Sequence, residues 1–346
     1  KMNKLKYFIL FIFCISCILS CSNNTSNTSD LMKIKFMAGY KPQANLPFVA
    51  AYVANEKGYF KDEGLDVEIL HSTGSHLKLL LAGEVDITTA AASSVIKRRT
   101  NSDVPISSIM LFGQTGQQAF ISLEDKNIQT VSDWQGKIFG YKISLPPEYL
   151  AMININNLDR NKIEEVKVGF DPRILTEGKV DILSIYKSNE PNLIKKLGYD
   201  VKIWDPAEFG VPTLGLTYIT LEDTINQRPD MLQRFNRATL RAIEFILENS
   251  DETIEIVMLY ATNSDKEHQR FMLEKEIEQS NSISVKQNGF GWSEKEKWDS
   301  LQDFLFKYKS IDSISDSNLF FTNQFLGKNL KNNKSILERI GLSRDS

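Results

Sequence analysis

Apolar residues along the chain fall into short runs broken by polar turns, and the spacing alternates between the strand and the helix period. "KIKFMAGY" (33–40) reads as a strand, and "LPFVAAYVANEKGYFKDEG" as a helix with Pro47 in its first turn and Gly58 at its stop. "DVEIL" (66–70) is a second strand. "SHLKLLLAGE" (75–84) is a short helix with Ser75 as N-cap, and "VDITTA" a third strand. From 137 the same order returns: "KIFGYKI", "PPEYLAMININN", "EEVKVGF", "DPRILTEGK", "VDILSIY". One phrase stands in both, "LAGEVDI" before 88 and "TEGKVDI" before 183, at the entry to the third strand. A β-α-β-α-β module used twice predicts two parallel sheets with right-handed crossovers, one per lobe.

The remaining pattern joins the lobes. "ISSIMLFGQ" and "QAFISLE" (106–124) read as strands leading out of the first, and "GVPTLGLTYITLED" (210–223) as the return strand. Helices follow at 229–248 and 251–261. Another opens at "SEKEKW", where Ser293 and Glu296 have the spacing of a capping box. This helical third has no strand module of its own and is expected to pack on the first lobe. The expected fold class is α/β, two-lobed, each lobe a mainly parallel sheet flanked by helices, joined by two crossing strands. The lobes are expected at 33–121 with 217–346, and at 122–216.

The first thirty residues differ. Lys4 and Lys6 precede the apolar run "YFILFIFCISCIL", whose length suits a signal-peptide core, so 1–20 is expected to be a signal peptide. "ILSC" (18–21) resembles the lipobox of bacterial lipoproteins, which makes Cys21 the expected lipidation site and 21–32 a Ser/Asn/Thr-rich tether. All three cysteines, Cys14, Cys17 and Cys21, lie here, so the rest of the chain has no disulfide, thiol nucleophile or Cys-ligated metal. Removing Lys1, Lys4 and Lys6 with the signal leaves 38 basic against 44 acidic residues, which does not suit nucleic acid. "KRR" at 97–99 reads as a solvated helix end. His71 and His76 lack nearby partners for a metal. No phosphate loop, serine elbow or zinc-protease motif is present.

In open parallel sheets ligands bind beyond the carboxyl ends of the strands. Two such lobes would therefore bring "YKPQAN" (40–45), "TTAAASS" (88–94), "KISLPPE" (142–148) and "YKSNE" (186–190) to one cleft. Tyr40, Tyr149 and Tyr186 offer flat faces for stacking. Thr89, Ala91 and Ser93 leave room for a ligand and, ahead of a helix, offer backbone N–H donors. Glu148 and Glu190 can accept hydrogen bonds from an amino-substituted ring, while Gln43, Asn45 and Asn189 donate or accept. Asp86 and Asp181 more simply brace the turn into their strands. The lining suits a small, flat, nitrogen-rich molecule better than a bare anion.

"FVAAYVANEKGYFKDEGLDVEIL", "LAGEVDI", "DWQGKIFGY", "NEPNLIKKLGYDV" and "FGVPTLGLTYIT" together resemble the periplasmic binding proteins grouped with thiamine-pyrimidine synthase, from about 34 to 327. The resemblance implies a two-lobed receptor that closes over a small ligand and delivers it to an ABC importer permease with its ATPase; with the signal segment and lipobox, the receptor is expected to be exported, lipid-anchored and monomeric. "NEP" resembles the thiamine-precursor and riboflavin branches, where an acid at that place is associated with the ligand ring, which points to Glu190 and, less, Asn189. A thiamine pyrimidine precursor is the expected ligand, with riboflavin the alternative. The synthase of the same group has a Lys four and a His eight residues after the first "VD" aspartate, and a Cys-rich iron motif. Here those positions hold Ala90 and Ser94, so neither enzyme activity nor a cofactor is expected.

Overall fold

The computed structural model describes residues 31–327 apart from Thr73 and Ile143. The expected signal segment, Cys21 and all of the tether but its last two positions lie outside the described residues. Among the described residues no helix is long and apolar enough to cross a membrane.

The repeated module is present twice. In the first lobe it comprises β1 (Met32–Ala38), α1 (Leu46–Glu56), the single turn α2 (Tyr59–Asp62), β2 (Leu65–His71), α3 (His76–Leu81) and β3 (Ile87–Ala91). After α4 (Ala92–Ser102) and β4 (Ile106–Leu111) the chain crosses to the second lobe and enters it as β5 (Gln118–Leu123). The second copy is β6 (Ile138–Tyr141), α5 (Pro147–Ile155), β7 (Glu164–Lys167), α6 (Arg173–Thr176) and β8 (Ile182–Tyr186). It is followed by α7 (Glu190–Lys196) and β9 (Val201–Trp204). The chain returns as β10 (Leu216–Leu221) and ends in helices α8 (Glu222–Gln227), α9 (Pro229–Glu248), α10 (Ser250–Tyr260), α11 (Lys266–Gln279), α12 (Ile283–Asn288) and α13 (Lys295–Lys307).

The sheets have matching orders, β2-β1-β3-β10-β4 and β7-β6-β8-β5-β9. Within each, the three module strands pair in parallel. The strand inserted beside the third, β10 in one and β5 in the other, runs antiparallel. Each crossing segment thus ends as a strand of the sheet it enters. The first crossing lies in 112–117, because Gln118 already pairs with Tyr186 in the second sheet, a few residues earlier than the expected boundary at 121. The crossings touch at Gly113 and Gly215: the Gly215 N–H donates to the Gly113 carbonyl at 2.8 Å. A Cβ on Gly113 would lie 2.6 Å from Gly215 Cα, so only glycine allows the backbones this close.

The repeated phrase has one structural meaning in both copies. Gly83 and Gly178 end their helices in the left-handed conformation, with φ of 70° and 68°, where glycine carries no Cβ penalty. Asp86 then accepts from the Lys35 N–H at 2.8 Å while its own N–H donates to the Lys35 carbonyl at 2.9 Å. Asp181 repeats both bonds on Ile138, at 2.9 Å each. The aspartates therefore tie the third strand to the first.

Helix α1 is buried from Leu46 to Ala54, sandwiched between the first sheet and the C-terminal helices α9 and α10. Phe36, Phe60, Tyr218 and Phe235 interlock there, with ring centres 5.0–5.9 Å apart, and each such ring contributes about 1.5–3 kcal/mol through burial. The C-terminal third packs mainly on the first lobe, through α9 and through α13 against α4. It also reaches the second. The apolar cluster holding Ile96, Trp298 and Leu305 continues into Trp134, Phe139 and Tyr149. The capping box at Ser293 does not form. Asn323 takes both the N–H and the carbonyl of Ser293, at 2.9 and 2.8 Å, and α13 starts later with Glu294 as N-cap. Ser75 does sit at the N-cap of α3, but its hydroxyl pairs with Ser72 Oγ at 2.6 Å and caps nothing.

Candidate functional site

The strand tips of the two lobes approach one another, and helix α11 stitches them. From the first lobe, Asn45 donates to Glu276 Oε1 at 3.0 Å, and Gln269 accepts from the Ala44 N–H at 2.7 Å. From the second, Ser188 Oγ donates to the same Glu276 oxygen at 3.2 Å, and Lys187 donates to Gln279 at 3.0 Å. Asn189 and Asn192 bracket the His268 ring, at 3.0 Å from Nε2 and 2.8 Å from Nδ1. Lys196 reaches Asp265, which also caps the helix by accepting from the His268 N–H at 2.7 Å. Asp265, His268, Glu276 and Gln279 recur at turn spacing, so one polar face of α11 spans the mouth between the lobes.

Burial leaves this face electrostatically tuned. Desolvation pushes the Glu276 carboxyl up to about 7, against hydrogen bonds from Asn45, the Leu46 N–H and Ser188 that favour its charge. Burial also pulls the His268 imidazole below its ordinary value, and the Lys196 charge adds to this.

Inside the mouth the second lobe supplies the charge. Glu190, first residue of α7, is 2% exposed. One of its carboxylate oxygens accepts from Lys142, just beyond β6, and the other from the Tyr186 N–H at 2.9 Å. Burial pulls the Lys142 ammonium down to about 8. Around Lys142 Nζ stand two aromatic rings, Phe170 at 5.7 Å and Tyr186 at 5.9 Å. Both are open to solvent, 64% and 57% exposed, as is Tyr40 on the first lobe at 41%. Large apolar rings left bare at strand tips provide stacking surface. Tyr186 lies close enough to Glu148 and Tyr40 for both to help burial hold its phenol up. Glu148, in the first turn of α5, is pushed up by burial and opposed by Lys97 of the first lobe.

The expected residues therefore separate. Tyr40, Gln43, Asn45, Glu148, Tyr186, Asn189 and Glu190 gather at the mouth, Gln43 holding Asn45 by a 2.6 Å bond. Ala91 and Ser93 are half-buried at the start of α4, but the Ala92 N–H is already spent on the Gly215 carbonyl at 3.0 Å. Thr89 is buried and accepts from the Gly39 N–H at 2.9 Å, so it shapes the loop that carries Tyr40. Tyr149 is a correction: it is fully buried, with its ring 3.8 Å from Phe139 and parallel to it, and offers no face to a ligand. Its spacing with Met152 and Ile153 marks the buried stripe of α5. Lys142 and Lys187 stand in segments expected at the cleft but carry no expected role there, whereas Phe170 and the α11 face lie outside those segments. Lys187 is buried and bridges Asp205, at the second crossing, to Gln279.

Proteins of similar sequence and shape share this architecture. The chain is 27% identical over 313 residues to the formylaminopyrimidine-binding protein of Halalkalibacterium halodurans, covering 86% of this chain and 92% of that one. It is 24% identical over 352 residues to the riboflavin-binding protein RibY of Chloroflexus aurantiacus, covering 94% and 99%. The fold superposes, with a TM-score of 0.66 and 14% identity, on a putative periplasmic sulfonate-binding protein of Methylobacillus flagellatus, covering 91% of this chain and 96% of the other. Residues 45–253 match the family model described as NMT1/THI5 like, and the chain belongs to that family.

Proposed function

We propose that the chain is the solute receptor of an ABC importer and closes its lobes over a small, flat, nitrogen-rich ligand, most simply a thiamine pyrimidine precursor. The observation that carries this reading is the mouth itself: exposed Tyr40 and Tyr186 on opposite lobes, beside a buried Glu190–Lys142 pair. Kinship with a formylaminopyrimidine-binding protein over nearly its whole length supports the ligand class. A ring stacked between the tyrosines gains dispersion and desolvation, and polar side chains at the rim fix its orientation. Sulfonate is disfavoured, because Pro146, Pro147 and Pro191 remove N–H donors from the starts of α5 and α7.

The mechanism is a population shift. A ligand touching both lobes favours the closed form, in which α11 engages 187–196, and the importer reads closure. The receptor is an exported monomer anchored through Cys21, and it is not an enzyme, since Ala90 and Ser94 stand where the related synthase has its Lys and His. Riboflavin remains a second reading on the strength of the RibY kinship. Calorimetric titration of residues 22–346 with 4-amino-5-hydroxymethyl-2-methylpyrimidine, its formylamino relative and riboflavin tests both. Saturable binding of a pyrimidine is expected, binding of riboflavin alone selects the second reading, and binding of none overturns the receptor assignment.

A further inference from the structure

We infer that Lys142, rather than Glu190, reads the edge of the bound ring: its ammonium donates to an acceptor atom of the ligand, and Glu190 beneath it is a positioning residue. This rests on the receptor reading above. A carboxylate that is 2% exposed, with one oxygen on Lys142 and the other on the Tyr186 N–H, has little to offer an incoming amino group. Lys142 is in the opposite position. An ammonium has three N–H donors, and among the described residues Glu190 is its one hydrogen-bond partner. The unspent donors lie where the exposed rings of Phe170 and Tyr186 converge. A planar ligand stacked on Tyr186 would bring its edge to that nitrogen.

The backbone at the start of α5 cannot take over this task. Helix α5 begins with Pro146 at its N-cap and Pro147 in its first turn, followed by the Glu148 carboxyl, so its start lacks two N–H groups and repels an anion. Beside the rings of Phe170 and Tyr186 the donor is therefore a side chain, that of Lys142. Because Glu190 balances its charge, the acceptor best suited is neutral, a ring nitrogen or a carbonyl oxygen, rather than a sulfonate or phosphate. The sequence concealed this role, since a lysine after a strand is ordinarily a solvated tip.

The test is a cycle between protein donor and ligand acceptor, read by calorimetry with 4-amino-5-hydroxymethyl-2-methylpyrimidine and with its benzene analogue, in which both ring nitrogens are C–H. Lys142→Met alone would strand a buried carboxylate and risks unfolding, so Lys142→Met/Glu190→Gln, which removes both charges, is measured beside it. The wild-type protein is expected to prefer the pyrimidine at least tenfold, and the double variant to lose that preference while binding the benzene analogue as well as Glu190→Gln does. Glu190→Gln alone, which retains the donor, is expected to keep the preference at weaker overall affinity. A nitrogen preference that survives in the double variant overturns the role of Lys142 and leaves the receptor reading standing. A wild-type protein that binds neither probe overturns both.

Discussion

The third strand of the first lobe runs out in Thr89, Ala91 and the Ser93 that follows; the third strand of the second runs out in Tyr186, Lys187 and Glu190. Up to those tips the two modules share their element order and the bonds at strand three, from the left-handed Gly83 and Gly178 to the aspartates that tie strand three to strand one. Beyond them the first lobe offers small, backbone-committed residues and one exposed ring, and the second a buried ion pair with two exposed rings. The repeat is a frame, and the frame determines where strand tips meet without determining their chemistry. Function lies in the residues added after the repeat ends.

Substitutions of the frame and of the tips should therefore differ in kind. Tyr149 and Tyr186 belong to the same lobe, yet only Tyr149 is core. Tyr149→Ala is expected to cost about 3–5 kcal/mol in urea denaturation, as for other aromatic truncations in a packed interior, and a loss below about 1 kcal/mol would contradict its place against Phe139.

Next in size is the proton on the α11 face. The Glu276 carboxyl titrates near 7 when folded against an ordinary 4.5, so the native state binds a proton that the unfolded chain releases between those values. Stability from this group is then fullest below pH 4.5 and is lost as pH rises toward 7, a swing of about 3 kcal/mol at most. Glu276→Gln should remove that slope, seen as the difference from wild type in denaturation at pH 5 and pH 8. Parallel curves would show that Glu276 is solvated as if exposed.

The paired aspartates come third. Asp181→Ala should cost about 1–3 kcal/mol, the loss of an acceptor that leaves a strand N–H unpaired. Asp86→Ala should cost somewhat more, because Asp86 also holds Arg228. Equal costs would mean that the arginine contributes nothing there. Smallest in stability is Tyr186→Ala, within about 0.5 kcal/mol as for an exposed ring, whereas its ligand affinity should fall about two- to tenfold by calorimetry, from lost stacking of about 0.5–1.5 kcal/mol.

Much of this was legible. The module strands, their parallel order, the bracing aspartates and the long α9 follow from apolar spacing and from Gly and Pro placement. Helix α11 did not follow, for a physical reason: its buried positions include His268, Gln269 and Glu276, which face polar groups of both lobes. Apolar periodicity detects burial against a core, and this helix buries much of one face against hydrogen-bonding groups. Lys142 escaped for a related reason, since its value depends on Glu190, 48 residues away. Tyr149, by contrast, was readable as core from its spacing with Met152 and Ile153, and its aromatic character alone suggested otherwise.

The most direct measurement of the central claim is an experimental structure of the protein with 4-amino-5-hydroxymethyl-2-methylpyrimidine bound. The account predicts the ring between Tyr40 and Tyr186, with α11 engaged on Ser188 and Asn189. A ring bound elsewhere, or a mouth that the protein's own side chains fill while ligand sits outside it, would contradict the account.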